Sequence, residues 1–431
     1  MPTLHCLVYL TLTLRGEGFL HFGGMISKNR TVVLRYVLTS IFLPQTYQTR
    51  RVAMTMPGGT CMFKKIVICC DGTGNSFDRV AEESNVAKLY SSLTVNAGQR
   101  GYYHPGVGTM GAPNSHGAIG REWSKIKGLA FGAGLEANIG DAYRYLMDTY
   151  EDGDEIFLFG FSRGSFTARA LASLIHVYGL LCAGNHELIP YILKMYSKNS
   201  RLAKHKKTTF TADDAFKWQF SHSTEVRIKF CGLWDTVSSY GWAYDPIELP
   251  FLGSNPIIDI GRHAISIHER RCFYQDNLWG DPLAGQDIRQ VWFAGVHSDV
   301  GGSYLEESAG LSKIALEWIL VEAANAGLQL EREKALVVLG KAAPSPAVEG
   351  LPQFSSPDSN GCLHDSLHGA WWILEYFPQQ DPHPGGSRWI LPKGRSRIVP
   401  EGSVFHESVV QSGRFPESTP KKWTTESWVA F

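Results

Sequence analysis

A single G-x-S-x-G pentapeptide, Gly160 to Gly164, is the clearest place where this sequence could carry out chemistry. It follows the short apolar run from Ile156 to Phe159 and precedes a segment whose apolar residues recur at helical spacing. In that setting the pentapeptide predicts a sharp strand-to-helix turn that presents Ser162 as a nucleophile. Glycine is needed at both ends of such a turn because neighbouring chain segments approach too closely for side chains. The alternative is a glycine-flanked turn with an ordinary serine.

A serine hydroxyl needs a base to become a nucleophile, and the base needs an acid that orients it. In proteins with this turn the chain order is Ser, then Asp or Glu, then His. Asp235 ends one predicted strand, and His297 follows a later one. Both lie at carboxyl ends of strands, where open α/β sheets bind ligands, so the predicted catalytic residues are Ser162, Asp235 and His297. The competing candidates are His364, His368 and His406 for the base, and Asp245 and Asp259 for the acid.

The negative charge that develops during attack on a carbonyl needs N–H donors, which form an oxyanion hole. One donor is expected from the residue after the nucleophile, Arg163, and a second from a loop after an early strand. The loop Asp71-Gly72-Thr73-Gly74-Asn75 suits the second role, and Gly72 and Thr73 are its predicted donors. The alternative is a plain turn. A phosphatase of the haloacid-dehalogenase type would need a nucleophilic Asp two residues before Asp71, where this chain has Cys69.

Strand-like and helix-like segments alternate from about residue 62 onward. Residues 135–146 carry apolar side chains at helical spacing, whereas residues 226–230 alternate as in a half-buried strand. Alternation of this kind predicts an α/β fold with a mostly parallel sheet flanked by helices.

The chain is expected to fall into three parts. Residues 1–61 lack a clean period and are predicted to be a poorly ordered extension or a start-site artefact. Residues 62–341 form the predicted catalytic domain, with a cap insertion at about 182–224. The apolar residues of that insertion could form a lid over an acyl pocket, or could simply cover the core. Residues 342–431 are rich in Trp, Pro and Gly and are predicted to pack on the catalytic domain.

Composition narrows the class of protein. The 431 residues include 41 basic and 41 acidic side chains, and this balance argues against a nucleic-acid-binding protein. The eight cysteines form no C-x-x-C pair, so the sequence predicts neither a metal site nor disulfides, and no cofactor is expected. No apolar stretch reaches the roughly 18 residues of a membrane-spanning helix. These features predict a cytoplasmic protein, with a degenerate signal segment at residues 4–14 left open.

Four motifs together resemble one known family. CCDGTGN, GFSRGSFTARALA, GLWDTVSSYG and GVHSDVGGSY are similar to the uncharacterised α/β-hydrolase family that includes the catalytic domain of type VI secretion phospholipase effectors. The resemblance runs from about Lys64 to Gly327 and implies an α/β-hydrolase fold with a triad at Ser162, Asp235 and His297. Asp299 also belongs to the family pattern and is interpreted as a residue that holds its loop.

The function predicted from residues and resemblance together is a serine hydrolase that cleaves carboxylic esters, those of lipids or phospholipids, through an acyl-enzyme. Asp71 and Asp299 are expected to support the site without reacting. The alternatives are a non-catalytic binding protein of the same fold and a thioesterase or peptidase on the same triad. The expected partner is an ester or phospholipid substrate and not a nucleic acid. Peripheral membrane contact and export by a secretion machine stay open, because such effectors need no signal peptide.

Overall fold

A computed structural model of the chain describes residues 10–12, 32–34, 63–72, 82–106, 133–202, 212–237, 241–242, 245–246, 249–369, 371–380, 389–417 and 419–431. The chain divides into two compact units, residues 1–61 and 62–431. In the first unit the described residues form an antiparallel pair, β1 (Leu10–Leu12) and β2 (Val32–Leu34). The rest of the predicted extension, and Thr73 of the predicted oxyanion loop, lie outside the described residues.

An eight-stranded sheet organises the second unit. The strands in chain order are β3 (Lys65–Cys70), β4 (Gln99–His104), β5 (Glu155–Phe161), β6 (Ile228–Trp234), β7 (Gly241–Trp242), β8 (Asp245–Pro246), β9 (Ile258–Ser266), β10 (Asp287–Phe293), β11 (Gln379–Gln380), β12 (Trp389–Ile390), β13 (Ser403–His406) and β14 (Trp423–Glu426). The pairs β7–β8 and β11–β12 are small antiparallel ribbons outside the main sheet.

Helices cover both faces of the sheet. In chain order they are α1 (Asn85–Ser91), α2 (Ala133–Thr149), α3 (Arg163–Tyr178), α4 (Ile189–Leu202), α5 (Ala212–Phe220), α6 (His297–Gly301), α7 (Gly310–Asn325), α8 (Arg332–Val338), α9 (Trp371–Glu375) and α10 (Glu407–Ser412). One hydrophobic core lies between the sheet and α2, α3 and α4. A second lies between the opposite face and α1, α7 and α8. Residues along β3 alternate between the two cores, as expected for a strand buried on both sides.

The order of the strands determines where a site can form. The main sheet runs β4-β3-β5-β6-β9-β10-β13-β14, and every neighbouring pair is parallel. The chain therefore steps outward from β3 to β4 and then crosses back to β5 on the other side of β3. At such a switch point the loops after the two strands diverge and leave a crevice for a ligand. The predicted α/β fold with a mostly parallel sheet flanked by helices is confirmed.

Two parts of the sheet differ from expectation. β9 has no clear apolar pattern because it contains Arg262 and His263, yet both side chains are buried in the sheet. Arg262 is tolerated there because Asp287 and Glu322 pair with its guanidinium at 2.6 and 2.5 Å. In addition, β13 and β14 come from the carboxyl-terminal segment 342–431 and extend the sheet itself.

The insertion at about 182–224 contains α4 and α5. Ile189, Ile192 and Tyr196 of α4 are buried in the same core as α2 and α3. These contacts are those of a segment that covers the core. A lid over an acyl pocket stays a prediction.

Candidate active site

Ser162 lies between β5 and α3 in a backbone conformation that L-residues rarely adopt. Its φ of 59° and ψ of −122° place it in a region that costs about 1–3 kcal/mol for a residue with a side chain. The turn is held from both sides, since the Ser162 N–H donates to the Trp234 carbonyl at 3.0 Å and the Ser165 hydroxyl donates to the carbonyls of Gly160 and Trp234. The strained serine is therefore fixed at the carboxyl edge of the sheet.

The two glycines that flank the turn cannot carry side chains. A Cβ at Gly160 would lie 2.6 Å from the Gly164 backbone. A Cβ at Gly164 would overlap the carbonyl oxygen of Cys70, at the end of β3. Close packing of β3 against the first turn of α3 therefore requires glycine at both positions.

Asp235 and His297 are brought together from separate strands. The Asp235 carboxylate, directly after β6, lies 2.6 Å from Nδ1 of His297, which opens α6 after β10. The His297 ring packs against two aromatic rings, those of Phe161 and Tyr274, each with its centroid 4.7 Å away. Because Phe161 immediately precedes Ser162, this packing places the imidazole beside the serine turn. No hydrogen bond joins the Ser162 hydroxyl to His297 among the described residues, and apo sites often close that contact only with substrate bound.

Arg397 is one of the site residues that sequence reasoning missed. Its Nη1 and Nη2 atoms lie 2.6 and 3.1 Å from the two oxygens of Asp235, in a bidentate pair that is buried on both sides. Asp235 also accepts the Ser266 N–H at 2.8 Å. Arg397 is 162 residues further along the chain, and no local pattern marks it. The carboxyl-terminal segment thus reaches the centre of the site.

The electrostatics follow from these contacts. Burial alone would raise the pKa of Asp235, but the Arg397 guanidinium and the hydrogen bond to His297 hold that pKa well below its usual range. Asp235 therefore stays ionised. Burial lowers the pKa of His297, and the Asp235 carboxylate opposes that effect. The net direction is downward, so the imidazole is neutral at neutral pH and can accept a proton.

A second buried carboxylate supports the histidine backbone. Glu269 accepts the His297 N–H at 3.2 Å and pairs with the Arg271 guanidinium at 2.8 Å. Burial would raise the pKa of Glu269, but Arg271 lowers it to about 2. Arg271 in turn lies over the ring of Tyr274, 3.7 Å from its centroid. The surroundings of His297 therefore include the ion pair of Glu269 with Arg271 and the aromatic ring of Tyr274.

The structure describes part of the predicted oxyanion hole. A Cβ on Gly72 would lie 3.4 Å from the Ser162 Cβ, so the predicted loop is next to the serine. The Gly72 N–H itself donates to the Asp71 carboxylate at 2.6 Å in this state. Arg163 is the first residue of α3, where the free backbone N–H groups form the positive end of the helix dipole. Donation to an oxyanion by Gly72, Thr73 and Arg163 stays a prediction.

The two predicted supporting carboxylates each hold a loop. Asp71 accepts hydrogen bonds from the hydroxyls of Ser84 and Tyr103, both at 2.5 Å. Asp299 accepts the Val296 N–H at 3.0 Å and lies 2.6 Å from Nδ1 of His364. A supporting role of both residues in the chemistry of the site stays a prediction.

The competing candidates whose side chains are described have other surroundings than the pair of His297 and Asp235. His364 pairs with Asp299 and stacks on the Tyr304 ring at 3.7 Å. His406 is buried against Phe293, and burial lowers its pKa to about 4. His368 is exposed, and Asp259 pairs with Arg227 near the amino end of β9. The side chain of Asp245 lies outside the described residues.

Two further observations concern the described part of the chain only. It contains no group of three or more His, Cys, Asp or Glu side chains that could hold a metal ion. It also contains no helix with the length and apolar character needed to cross a membrane.

Fold and site together define a class: an α/β protein with a strained serine and a buried His–Asp pair at the carboxyl edge of a parallel sheet. Residues 64–322 match the family described as "T6SS, Phospholipase effector Tle1-like, catalytic domain". The match covers more than half of the chain, and the chain belongs to this family. The resemblance that the sequence motifs indicated is confirmed.

Individual similar proteins match only part of the chain. The chain is 35% identical over 216 residues to "Uncharacterized protein YEL023C" of Saccharomyces cerevisiae, a match that covers 48% of this chain and 31% of the yeast protein. A crystal structure of an uncharacterized protein from Pseudomonas aeruginosa aligns with 20% identity and a TM-score of 0.35, over 63% of this chain and 47% of the other. The Tle1 effector bound to the VgrG spike aligns with 16% identity and a TM-score of 0.31, over 71% and 58%. These TM-scores are too low to support an argument from either structure.

Proposed function

We propose that this protein is a serine hydrolase that cleaves carboxylic esters of lipids or phospholipids, with Ser162 as nucleophile, His297 as base and Asp235 as the orienting acid. The observation that carries the proposal is the strained Ser162 turn beside the 2.6 Å contact between His297 and Asp235. A serine held at a positive φ on a strand-to-helix turn is costly, and such strain clusters at functional sites. Membership of a phospholipase effector family supports a lipid ester as substrate.

The chemistry would proceed in two half-reactions. Nε2 of His297 takes the proton of the Ser162 hydroxyl while the serine oxygen bonds to the ester carbonyl carbon. The tetrahedral intermediate collapses, the bond to the alcohol oxygen breaks, and His297 gives its proton to the departing alcohol. A water molecule then attacks the acyl-enzyme with His297 again as base, which releases the carboxylic acid and restores Ser162. Asp235 keeps Nδ1 protonated and stabilises the imidazolium in both steps.

Two other functions use the same residues differently. A thioesterase or peptidase would need the same nucleophile but a different leaving group. A non-catalytic binding protein would need none of the strain at Ser162, and the strain therefore favours an enzyme. We prefer ester hydrolysis to thioester or peptide hydrolysis because the family is described as phospholipase effectors.

The test is a panel of p-nitrophenyl esters of increasing acyl length, with phospholipids, thioesters and peptides alongside. Wild type and Ser162→Ala are compared, and Ser91→Ala serves as a matched control because Ser91 is exposed on α1. We expect ester turnover by wild type and Ser91→Ala, and a loss of about 10⁴-fold or more in kcat for Ser162→Ala. Absence of turnover by wild type on every ester and phospholipid would exclude the proposed activity. Equal turnover by wild type and Ser162→Ala would exclude the nucleophile.

A further inference from the structure

Six large apolar side chains are exposed within one short stretch of the carboxyl-terminal segment. Each exposes between 38% and 60% of its surface to solvent. We call this set the apolar rim; its members are Trp372, Ile373, Tyr376, Phe377, Trp389 and Leu391. Single exposed apolar residues are ordinary, but a cluster marks a surface that binds something.

The exposure is built into the fold. Trp371, Leu374 and Glu375 form the inner face of α9 and are buried. The Glu375 carboxylate accepts the N–H groups of Cys272 at 2.8 Å and Gly394 at 3.0 Å, which fixes the helix against two other segments. Because the inner face is anchored in this way, the outer face with Trp372 and Ile373 must point to solvent.

The members of the rim lie on neighbouring segments of the chain. β12, which contains Trp389, pairs with β11 just after Phe377. The N–H of Lys393 donates to the Glu375 carbonyl at 3.1 Å. A Cβ on Gly394 would lie 3.1 Å from the Trp372 ring, so this indole lies against the segment that follows β12. The helix and the segment that contains β12 therefore lie side by side.

The helix that carries part of the rim lies close to His297 of the candidate active site. The buried Trp371 ring packs edge-on against Tyr274, with centroids 5.6 Å apart. Tyr274 packs in turn against His297 at 4.7 Å, and the Arg271 guanidinium lies over both Tyr274 and Trp371. Two side chains thus separate the exposed face of α9 from the imidazole. A surface bound by the rim would therefore lie close to the candidate active site.

Charge indicates what kind of surface would bind. Lys393 and Arg395 are exposed on the segment after β12, and neither pairs with a carboxylate in the described part of the chain. Trp and Tyr favour the boundary between hydrocarbon and water because their rings are amphipathic. Unpaired basic side chains next to such rings complement anionic lipid headgroups.

We propose that the apolar rim docks the protein onto an anionic phospholipid bilayer and holds the candidate active site close to the lipid surface. This inference rests on the proposed function, because docking to a bilayer serves an enzyme whose substrate is a lipid ester. Binding itself does not require Ser162, so the two can fail separately.

The experiment is flotation of the full chain, carrying Ser162→Ala to prevent hydrolysis, with phosphatidylcholine vesicles with and without phosphatidylserine. The rim variant is Trp372→Ser with Ile373→Ser, and the charge variant is Lys393→Glu with Arg395→Glu. Trp218→Ser is the matched control, because Trp218 on α5 is 82% exposed and outside the rim.

We expect the Ser162→Ala chain to float with phosphatidylserine vesicles. Loss of two apolar anchors should weaken partitioning by about tenfold or more. The charge variant should bind phosphatidylcholine as before but lose the gain from phosphatidylserine. The Trp218→Ser control should bind like its parent.

Three results would overturn the proposal. They are absence of vesicle binding by the parent, equal binding by parent and rim variant, and equal loss in the rim variant and the Trp218→Ser control. Self-association that the rim variant abolishes, without vesicle binding, would assign the rim to a second copy of the chain instead. The folding of the rim variant is checked in a chain that keeps Ser162, by hydrolysis of a short soluble ester. Vesicle binding without any ester turnover would refute only the proposed activity.

Discussion

Replacing Arg397 by methionine tests how the carboxyl-terminal segment supports the candidate acid. The bidentate pair with Asp235 is buried, with oxygen–nitrogen distances of 2.6 and 3.1 Å. Breaking a buried ion pair by removing one partner costs about 3–5 kcal/mol, because the other charge stays buried without compensation. Asp235 would keep the Ser266 N–H and His297. We therefore expect the lower part of that range, about 3 kcal/mol of unfolding free energy.

The same substitution has a defined pH signature. The pKa of Asp235 in the folded protein lies below the unfolded value of about 3.9. Its carboxylate therefore stabilises the fold above that value, and the stabilisation is lost as pH falls through the folded pKa. Without Arg397 the folded pKa rises, because burial then dominates. Acid unfolding should begin at higher pH in Arg397→Met than in wild type, and kcat/KM should fall together with the folded state.

The assay is urea unfolding followed by tryptophan fluorescence, together with kcat/KM on a short soluble ester across pH. Arg227→Met is the matched control, because Arg227 forms an exposed pair with Asp259 that is worth about 0–1 kcal/mol. The stability of Arg397→Lys should lie between those of wild type and Arg397→Met, since lysine keeps the charge but cannot form the bidentate pair. An unchanged urea midpoint and an unchanged acid limb in Arg397→Met would refute the reasoning.

Three further predictions concern the turn, the base and the loop. Gly164→Ala should lose several kcal/mol of stability and most activity in thermal unfolding and ester assays, whereas Gly253→Ala, with open space around it, should change little. The acid limb of kcat/KM should have its midpoint below pH 6.5, because burial lowers the pKa of His297; a midpoint at or above 6.5 would contradict this. Tyr103→Phe removes a donor to the Asp71 carboxylate and should cost about 1.5–3 kcal/mol in urea unfolding; no change would contradict the contact.

Local patterns predicted the elements that position the candidate site. β3, β5, β6 and the second half of β10 are short apolar runs, and the site residues lie at or within four residues of the ends of these strands. β9 escaped prediction because its polar residues are satisfied by partners far along the chain, as with Arg262 and Glu322. A strand whose burial depends on distant ion pairs carries no local signature of burial.

The residues of the candidate site likewise separate into those that a local sequence pattern marks and those that only distant contacts explain. The pairing of His297 with Asp235 was predictable because both follow parallel strands and must share one edge of the sheet. Arg397 was not predictable because it belongs to no apolar period and reaches Asp235 from a segment without regular structure. Glu269 was missed for the same reason, since only the fold brings it to the His297 backbone.

The most direct test of the central claim is labelling of the full chain by a fluorophosphonate probe, followed by peptide mapping. Such a probe reacts with an activated serine and needs no knowledge of the substrate. We predict one label on wild type, on the peptide that contains Ser162, with Ser91→Ala labelled equally. Ser162→Ala should stay unlabelled. An unlabelled wild type, or a label on a different residue, would contradict Ser162 as the activated nucleophile.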